Sequence, residues 1–313
     1  MTSLVNSISF HENSVTWLQI AVDSGQSLTV TRVVESPLPF VINFDNLAAG
    51  GTAIKIGGHL RSLAETHELS MENVRFLLSS RFGFVKRVTV DDFVPEAEYE
   101  ALVEQDLGHS LAADTDRFFI YQPEYFRENG SRKEILSVAI RREVVQFFQE
   151  IAAEAQMPIT ELNMNCFSVD EMYRRFFPNL MGQTLLLNFT ERGLEYVISD
   201  DRNYMDNGFR PYNPAMQTID QLEDSDILAS LAAAMESIQH PGALDTSPFR
   251  LSQVFLFGTA FRSNWFESLQ DRCELPLRIL NPLEVSEWQI NSDDPTFENQ
   301  GAFRYVEPLS NIF

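Results

Sequence analysis

The sequence predicts an α/β protein of two lobes, with a small α+β subdomain inserted into the first lobe. Two similar hairpins support this division, because each has a β-prone apolar run, a short polar turn and a second run, at Val5–Val22 and at Thr184–Ser199. Polar turn residues between two such runs are typical of β-hairpins. One hairpin opens each half of the 313-residue chain, which is long enough for about two domains. The pattern therefore indicates an internal duplication.

The first lobe is assigned residues 1–80 and a return segment, 158–180, that follows the insertion. After the hairpin the pattern predicts a third strand, a helix and a fourth strand, at Leu28–Val34, Ile54–Leu69 and Val74–Ser79. Ser36-Pro37 is expected to end the third strand, since proline donates no ladder hydrogen bond. The return segment is predicted to hold a short strand and a helix, at Pro158–Leu162 and Ser168–Phe177. A meander of strands followed by a helix suits a layered α/β domain.

Residues 81–157 are predicted to form the inserted subdomain. The predicted order is a strand, a helix that begins near Pro95, two strands and a closing helix, at Phe82–Val90, Tyr99–Leu107, Arg117–Phe126, Glu134–Ile140 and Glu143–Ala155. Asn129-Gly130 is a strong turn signal between the two later strands. This order is that of a small α+β unit.

Residues 181–290 are assigned to the second lobe. After its hairpin the pattern predicts strand, helix, strand, helix and strand, at Tyr204–Phe209, Ile227–Ile238, Gln253–Phe257, Phe261–Cys273 and Leu277–Leu280. His240-Pro241-Gly242 is expected to end the first of these helices. The chain from Asn281 is predicted to be polar and irregular, with residues 291–313 as a tail. The end of that tail, Tyr305–Phe313, is apolar enough to dock back onto a lobe.

The charge of the chain limits its partners. A net charge of −22 repels phosphate backbones and anionic lipid headgroups, so direct binding of nucleic acid or membrane is disfavoured. The two cysteines, Cys166 and Cys273, have no CxxC spacing, which excludes a disulfide framework or a thiolate zinc site and fits a reducing compartment. Neither a signal peptide nor a run of ~18 apolar residues is visible. We therefore expect a cytoplasmic protein that reaches the inner membrane only through a partner.

The order of these segments resembles that of one superfamily. LLLNFTERGLEYVI resembles a phosphate-binding hairpin, LFGTAFRSNWFESLQ an adenosine-binding segment, and SVAIRREVVQFFQEIAAEAQMPI the strand–helix stretch that leads into a second domain. Together with the hairpin-led halves and the insertion, they make the chain similar to the actin/Hsp70/sugar-kinase superfamily, from Leu4 to about Trp288. Within it, the chain resembles the actin-like pilus assembly proteins of the PilM type, relatives of the cell-division protein FtsA. The resemblance implies a two-lobed actin-like fold, a duplicated ribonuclease H-like arrangement.

The resemblance places a nucleotide cleft between two hairpin turns, and the sequence departs from it there. Proteins of this fold hold Mg-ATP with Asp-x-Gly turns, since Asp organises Mg²⁺ and glycine lets backbone N–H groups approach phosphate. Here the matching positions are His11-Glu12-Asn13, Asn188-Phe189-Thr190 and Gly258-Thr259, which lack the Asp-x-Gly pattern or keep one glycine of several. They predict a degenerate nucleotide cleft with no catalytic residue and no cofactor. ATP and Mg²⁺ are possible but disfavoured ligands.

Several polar clusters have a plainer explanation than chemistry. His11 and Glu12 form an acid–base pair in one interpretation, but as adjacent turn residues we expect them to face solvent. Asn188 and Thr190 either contact a nucleotide phosphate or satisfy turn backbone groups. The acidic residues that precede two predicted helices are assigned to helix starts rather than to Ca²⁺ ligands, because no spacing matches an EF-hand loop. The five histidines share no metal-ligand spacing.

The predicted function is a non-catalytic cytoplasmic scaffold of a type IV pilus assembly machine. By the resemblance, the first lobe and its insertion bind the short cytoplasmic tail of an inner-membrane protein. Phe82 and Phe84 alternate on one predicted strand and, with Arg87, are the partner-binding candidates, with core packing as the alternative for the phenylalanines. The acidic surface favours a tail that carries Lys or Arg. Two alternatives are left open: an ATP-binding or ATP-hydrolysing enzyme of the same fold, and the cytoplasmic domain of a type II secretion apparatus.

Overall fold

The computed structural model describes most of the chain. The described residues are 3–23, 26–91, 93–111, 114–121, 126–129, 132–200, 203–239, 250–271 and 273–313, without the side chains of 126–129 and 239. Two predicted turns, at Asn129-Gly130 and at His240-Pro241-Gly242, lie in whole or in part outside these residues. Within them, no helix has the length and apolar character needed to cross a membrane.

The first lobe is built on a six-stranded sheet. Its first elements are β1 (Ser3–Phe10), β2 (Ser14–Val22), β3 (Ser27–Pro37), α1 (Phe44–Leu47), α2 (Thr52–His67) and β4 (Val74–Leu78). Apolar side chains at helical spacing turn one face of α2 into the core, and Gly51 precedes the helix with a φ of 82° that favours glycine. β3 ends at Pro37, opposite Ser14, so the strand ends at the predicted proline, although its last residues run beyond the predicted Val34. A proline at the last position of a strand interrupts little of the ladder.

The inserted subdomain follows β4. It contains β5 (Gly83–Asp91), α3 (Tyr99–Leu111), β6 (Phe118–Tyr121), β7 (Phe126–Asn129) and β8 (Arg132–Arg141). β8 lies between β5 on one side and β6 and β7 on the other, and all three pairings are antiparallel. Alternate side chains of β5 and β8 pack with Val103 and Leu107 of α3 in a small separate core. The insertion therefore carries its own sheet and its own helix.

The helix that follows the insertion packs with the first lobe. The chain continues with α4 (Arg142–Ala155), β9 (Ile159–Met164) and α5 (Asn165–Phe176). Val144, Phe148 and Ile151 of α4 share a core with α2 and the first sheet, rather than with the inserted unit to which the sequence assigned this helix. Gly57 of α2 allows the close approach, because a Cβ there would lie 2.6 Å from the Ile151 carbonyl oxygen. The remaining domain boundaries stay a prediction.

The second lobe repeats the arrangement of the first. Its elements are β10 (Gln183–Phe189), β11 (Gly193–Ser199), β12 (Tyr204–Pro211), α6 (Asp224–Gln239), β13 (Leu251–Phe257), α7 (Phe266–Gln270) and β14 (Leu277–Ile279). In both lobes the strands follow the order third, second, first, fourth and fifth, with two antiparallel pairs followed by two parallel pairs. The predicted duplication is confirmed by this shared order.

Two predictions for the later part of the chain are wrong. The helix expected from Phe261 to Cys273 is shorter, a 3₁₀ turn at Ser263–Trp265 followed by α7, and Phe261 precedes both. The chain after Asn281 is not irregular. It forms β15 (Gln289–Ser292), α8 (Pro295–Asn299) and α9 (Val306–Ser310). β15 joins the first sheet by parallel pairing with β3, and α9 packs against β1, β2 and α5.

Candidate functional site

Two hairpin turns face each other across the two lobes and define a cleft of about 220 Å³. From the β1–β2 turn, Asn13 Nδ2 donates to Glu191 Oε2 of the β10–β11 turn at 2.6 Å. In the opposite direction, Arg192 Nε lies 2.7 Å from Glu12 Oε2. Arg81 pairs with the other oxygen of Glu12. Direct contacts between side chains therefore join the two turns.

The backbone of both turns is closed by hydrogen bonds within each turn. In the first turn His11 N donates to Ser14 O at 2.9 Å. In the second, Thr190 donates to Gly193 O from its N–H at 3.0 Å and from Oγ1 at 2.8 Å. These N–H groups are therefore engaged, whereas a phosphate site needs backbone N–H groups directed at the ligand.

Two buried carboxylates form the floor of the cleft. Glu195 from β11 and Glu307 from α9 are 7% and 4% exposed. One amide joins them: Asn165 Nδ2, at the start of α5, donates to Glu195 Oε2 at 2.5 Å and to Glu307 Oε1 at 2.6 Å. Ser79 Oγ donates to the second Glu195 oxygen at 2.5 Å. Burial raises the pKa of both carboxyl groups, and the charge of Glu307 raises the pKa of Glu195 further.

His11 and Glu12 do not face solvent, contrary to the expectation from the sequence. His11 Nδ1 lies 3.6 Å from Glu307 Oε2, and its Nε2 lies 3.5 Å from Thr16 Oγ1. Burial lowers the pKa of His11, and the carboxylate of Glu195 is the largest influence in the opposite direction. Glu12 is held by two arginines. Both side chains are thus fixed by partners from distant parts of the chain.

Asn188 and Phe189 belong to β10 rather than to the turn, and they point to opposite faces of the sheet. Asn188 lines a small cavity of about 10 Å³ together with both carboxylates of the floor. Phe189 is fully buried in the core of the second lobe, so strand alternation removes it from the cleft. Gly258 has a φ of 117°, and a Cβ there would lie 2.6 Å from Phe189 O. Thr259 lines the cleft beside it.

The cleft does not fit Mg-ATP. Its lining has four carboxylates against two guanidinium groups, and both arginines already pair with Glu12. Such a lining repels a triphosphate. Its volume of about 220 Å³ is also below the ~300 Å³ at which small-molecule sites usually begin. Within the described residues, no group of three or more acidic, histidine or cysteine side chains is arranged to hold a metal ion.

A second concave site, a groove of about 610 Å³, lies between the inserted subdomain, β9 and the residues at the end of α9. We call five apolar residues of its lining the apolar floor, namely Val138, Ile140, Leu162, Met164 and Phe167; the lining also includes polar side chains such as Arg75, Glu161 and Glu171. Phe119 and Tyr121 of β6 also line it and are 45% and 67% exposed. Among the described residues, β6 pairs only with β8, and β9 only with β4. Each of these two strands therefore keeps one edge unpaired.

The three predicted partner-binding residues do not come together, and none of them lines the groove. Phe82 packs edge-to-face on two other phenylalanines and lines the cleft. Phe84 lies on β5 and is partly exposed. Arg87 donates to two backbone oxygens of β12, and so ties the inserted subdomain to the second lobe.

The residues of the cleft floor are those that the sequence analysis did not find. A local signal exists for one of them, because Glu307 is the only charged residue between Tyr305 and Phe313. A carboxylate in an apolar, buried stretch indicates a polar partner from elsewhere in the chain. The identity of that partner requires the fold, since Asn165 and Glu307 are 142 residues apart.

Comparisons with known proteins agree with this architecture. No protein-family model and no curated protein sequence matches the chain. In structure, it is similar to a chain of the PilM-PilN type IV pilus biogenesis complex, with a TM-score of 0.71 and 13% identity, over 98% of this chain and 96% of that chain.

Two further solved structures match over most of their length. One is the cytoplasmic domain of EpsL, an inner-membrane component of the type II secretion system of Vibrio cholerae, with a TM-score of 0.49 and 12% identity, over 93% of this chain and 90% of that chain. The other is a Bacteroides thetaiotaomicron protein with an actin-like ATPase fold and unknown function, with a TM-score of 0.46 and 9% identity, over 98% and 94%.

The chain therefore has the two-lobed actin-like fold that the sequence predicts. The repeated strand order of the two sheets and the full-length match at a TM-score of 0.71 support this together. Within that class, the similarity in fold is to a chain of the pilus biogenesis complex, and the predicted resemblance to proteins of the PilM type is confirmed at the level of the fold.

Proposed function

We propose that the chain is a non-catalytic scaffold of an envelope-spanning assembly machine of the type IV pilus kind, and that its groove binds the extended cytoplasmic tail of an inner-membrane protein. The observation that carries the proposal is the groove, where two strands with unpaired edges border an apolar floor. The full-length similarity to a chain of a type IV pilus biogenesis complex supports the choice of machine.

An extended peptide suits this groove physically. It can add a strand to β6 or β9 through main-chain hydrogen bonds, while alternate side chains enter the apolar floor. The exposed rings of Phe119 and Tyr121 supply the large aromatic surfaces that dominate many binding energies. The net charge of −22 favours a tail that carries Lys or Arg. In this proposal the protein lies in the cytoplasm and reaches the inner membrane through that tail.

The cleft supports a structural rather than a catalytic role. Its two turns are tied to each other by Asn13, Glu191 and the ion pairs of Glu12, and its acidic lining disfavours a nucleotide. Contacts of this kind fix one lobe relative to the other. A fixed arrangement keeps the groove in one shape and so lowers the ordering cost of peptide binding.

The test measures binding of synthetic peptides that copy the cytoplasmic N-terminal tails of single-span inner-membrane proteins from the same genome. We expect one or a few tails to bind by fluorescence anisotropy, and the Phe119→Ala/Tyr121→Ala variant to bind the same tails about tenfold more weakly or worse. A tail with N-methylated backbone amides is expected to bind as poorly, because it cannot complete a strand ladder.

Phe93→Ala is the matched control, because Phe93 is 81% exposed and does not line the groove. It is expected to leave the affinity unchanged. The proposal is wrong if no tail binds, or if Phe93→Ala weakens binding as much as the groove variant.

A further inference from the structure

The buried carboxylates of the cleft floor connect the two lobes. Glu195 belongs to the second lobe, whereas Glu307 lies on α9, which is fixed to the first lobe because Asn311 Nδ2 donates to Ser7 Oγ of β1 at 3.2 Å. The amide of Asn165 bridges them with a defined orientation. Its Oδ1 accepts from Ser80 N at 2.9 Å, so its two N–H bonds are left for the two carboxylates.

The direct contacts of Glu195 and Glu307 are neutral donors, such as Ser79 and Asn165, and one histidine, His11. Among the described residues no lysine or arginine forms an ion pair with Glu195 or Glu307, and the two arginines of the cleft both pair with Glu12. A single amide nitrogen shared by two carboxylates holds them side by side, and burial strengthens the repulsion between like charges. One proton on the pair removes that repulsion, and the two groups then titrate as a unit.

The other titratable groups near the pair lie on four different elements. His11 on the first turn and Cys166 on α5 interact with Glu195, and Glu191 on the second turn and Glu35 on β3 interact with His11. Glu35 pairs with Arg304 at 3.6 Å, and Glu191 is already held across the cleft. Burial raises the pKa of Cys166, so the thiol is neutral. None of these groups supplies a fixed positive charge to the pair.

We propose that Glu195 and Glu307 act as a proton-operated latch between the lobes. The lobes stay closed at the cleft while the pair holds one proton. When both carboxylates are ionised, their repulsion acts across the lobe boundary and opens the cleft. This inference depends on the geometry of the floor and is independent of whether the groove binds a peptide.

The sign of the pH dependence follows from burial. A carboxyl group whose pKa is raised in the folded state holds a proton there more readily than in the unfolded chain. Stability then falls as pH rises from the ordinary glutamate value of 4.5 through the raised value. His11 acts in the opposite direction, because its lowered pKa makes stability rise with pH below its ordinary value of 6.5. Above about pH 6.5 the contribution of His11 no longer changes with pH.

The test compares the wild type with Glu307→Gln, which keeps an oxygen for the Asn165 amide and removes one charge. The measured quantity is the melting temperature of the variant minus that of the wild type. We expect this difference to be larger at about pH 9 than at about pH 6.5, by about 2 °C or more. Spin labels at Ser62→Cys in α2 and Ser268→Cys in α7, in a Cys273→Ser background, report the distance between the lobes. That distance should lengthen with pH in the wild type and stay constant in Glu307→Gln.

Glu195→Gln is the second variant and removes the other charge of the pair. It replaces Glu307→Gln if that variant does not fold, and the expected results are the same. Glu171→Gln, at an exposed carboxylate of α5, is the control and should keep the wild-type pH dependence. The latch is overturned if the wild-type distance is the same at both pH values, or if the Gln variants keep the full pH dependence of the wild type.

Discussion

The cleft and the groove differ in how their polar groups are satisfied. In the cleft, the facing turns are closed by their own hydrogen bonds and joined by side chains from both lobes. At the groove, two strands each have one edge that no other described strand pairs with, beside an apolar floor. The contrast teaches that the polar groups of the cleft join the two lobes, whereas the strand edges at the groove are the groups that the proposed tail would use.

The first test of this difference between the two sites compares two asparagine-to-alanine substitutions, one in each site. Asn165→Ala leaves two buried carboxylates without their shared donor, so we expect the free energy of unfolding to fall by about 3–5 kcal/mol. Asn163→Ala at the groove removes bonds to Glu161 and Asn311 in a half-buried place, with an expected loss of about 1 kcal/mol. Urea denaturation measures both. Equal losses would remove the distinction between the two sites.

The second test uses one glycine from each site. Gly258→Ala places a Cβ 2.6 Å from Phe189 O, at a φ of 117° that disfavours other residues, and should cost about 2–3 kcal/mol. Gly83→Ala meets the flexible end of Met164 at 2.6 Å, and Met164 lines the groove. The methionine can move, so we expect less than about 1 kcal/mol. If Gly258→Ala proved as mild as Gly83→Ala in thermal unfolding, the cleft floor would not be tightly packed.

The third test asks whether the cleft binds a nucleotide, and it has the smallest expected signal. In a calorimetric titration with Mg-ATP we expect no heat of binding up to about 1 mM nucleotide, because the lining is acidic and its two arginines already pair with Glu12. The tail peptide that binds the groove serves as the positive control. Micromolar binding of Mg-ATP would show that the cleft opens to a ligand after all, and turnover would then need to be measured.

Much of the fold could be predicted because local patterns determine it. Alternating apolar residues and helical spacing identify the strands and most helices of both lobes before any contact is known. β15 could not be predicted from local patterns, because its pairing partner β3 lies at the other end of the chain. The helix expected after Gly258 is shorter than its apolar pattern. Phe261 and Trp265 have helical spacing and both pack on Phe189, but Phe261 does so from the segment before the 3₁₀ turn.

The site was less accessible to sequence reasoning than the fold. The cleft residues with a family pattern, such as His11 and Thr190, could be placed at the two facing turns. The floor could not, because Asn165, Glu195 and Glu307 come from three separate elements. The groove also depends on tertiary structure, since an edge strand is defined by the partner it lacks. Phe119 and Tyr121 therefore have no distinguishing local signal.

The short helix α9 belongs to both concave sites. Glu307 lies on the floor of the cleft, whereas Ser310 and the residues up to Phe313 line the groove. Two equilibria that share one element are coupled, and coupling of binding free energies is reciprocal. If peptide binding at Ser310–Phe313 shifts α9, it changes the proton affinity of Glu307 by the same factor by which ionisation of Glu307 changes the affinity for the peptide. Proton uptake on peptide binding and the pH dependence of peptide affinity are then two measurements of one quantity.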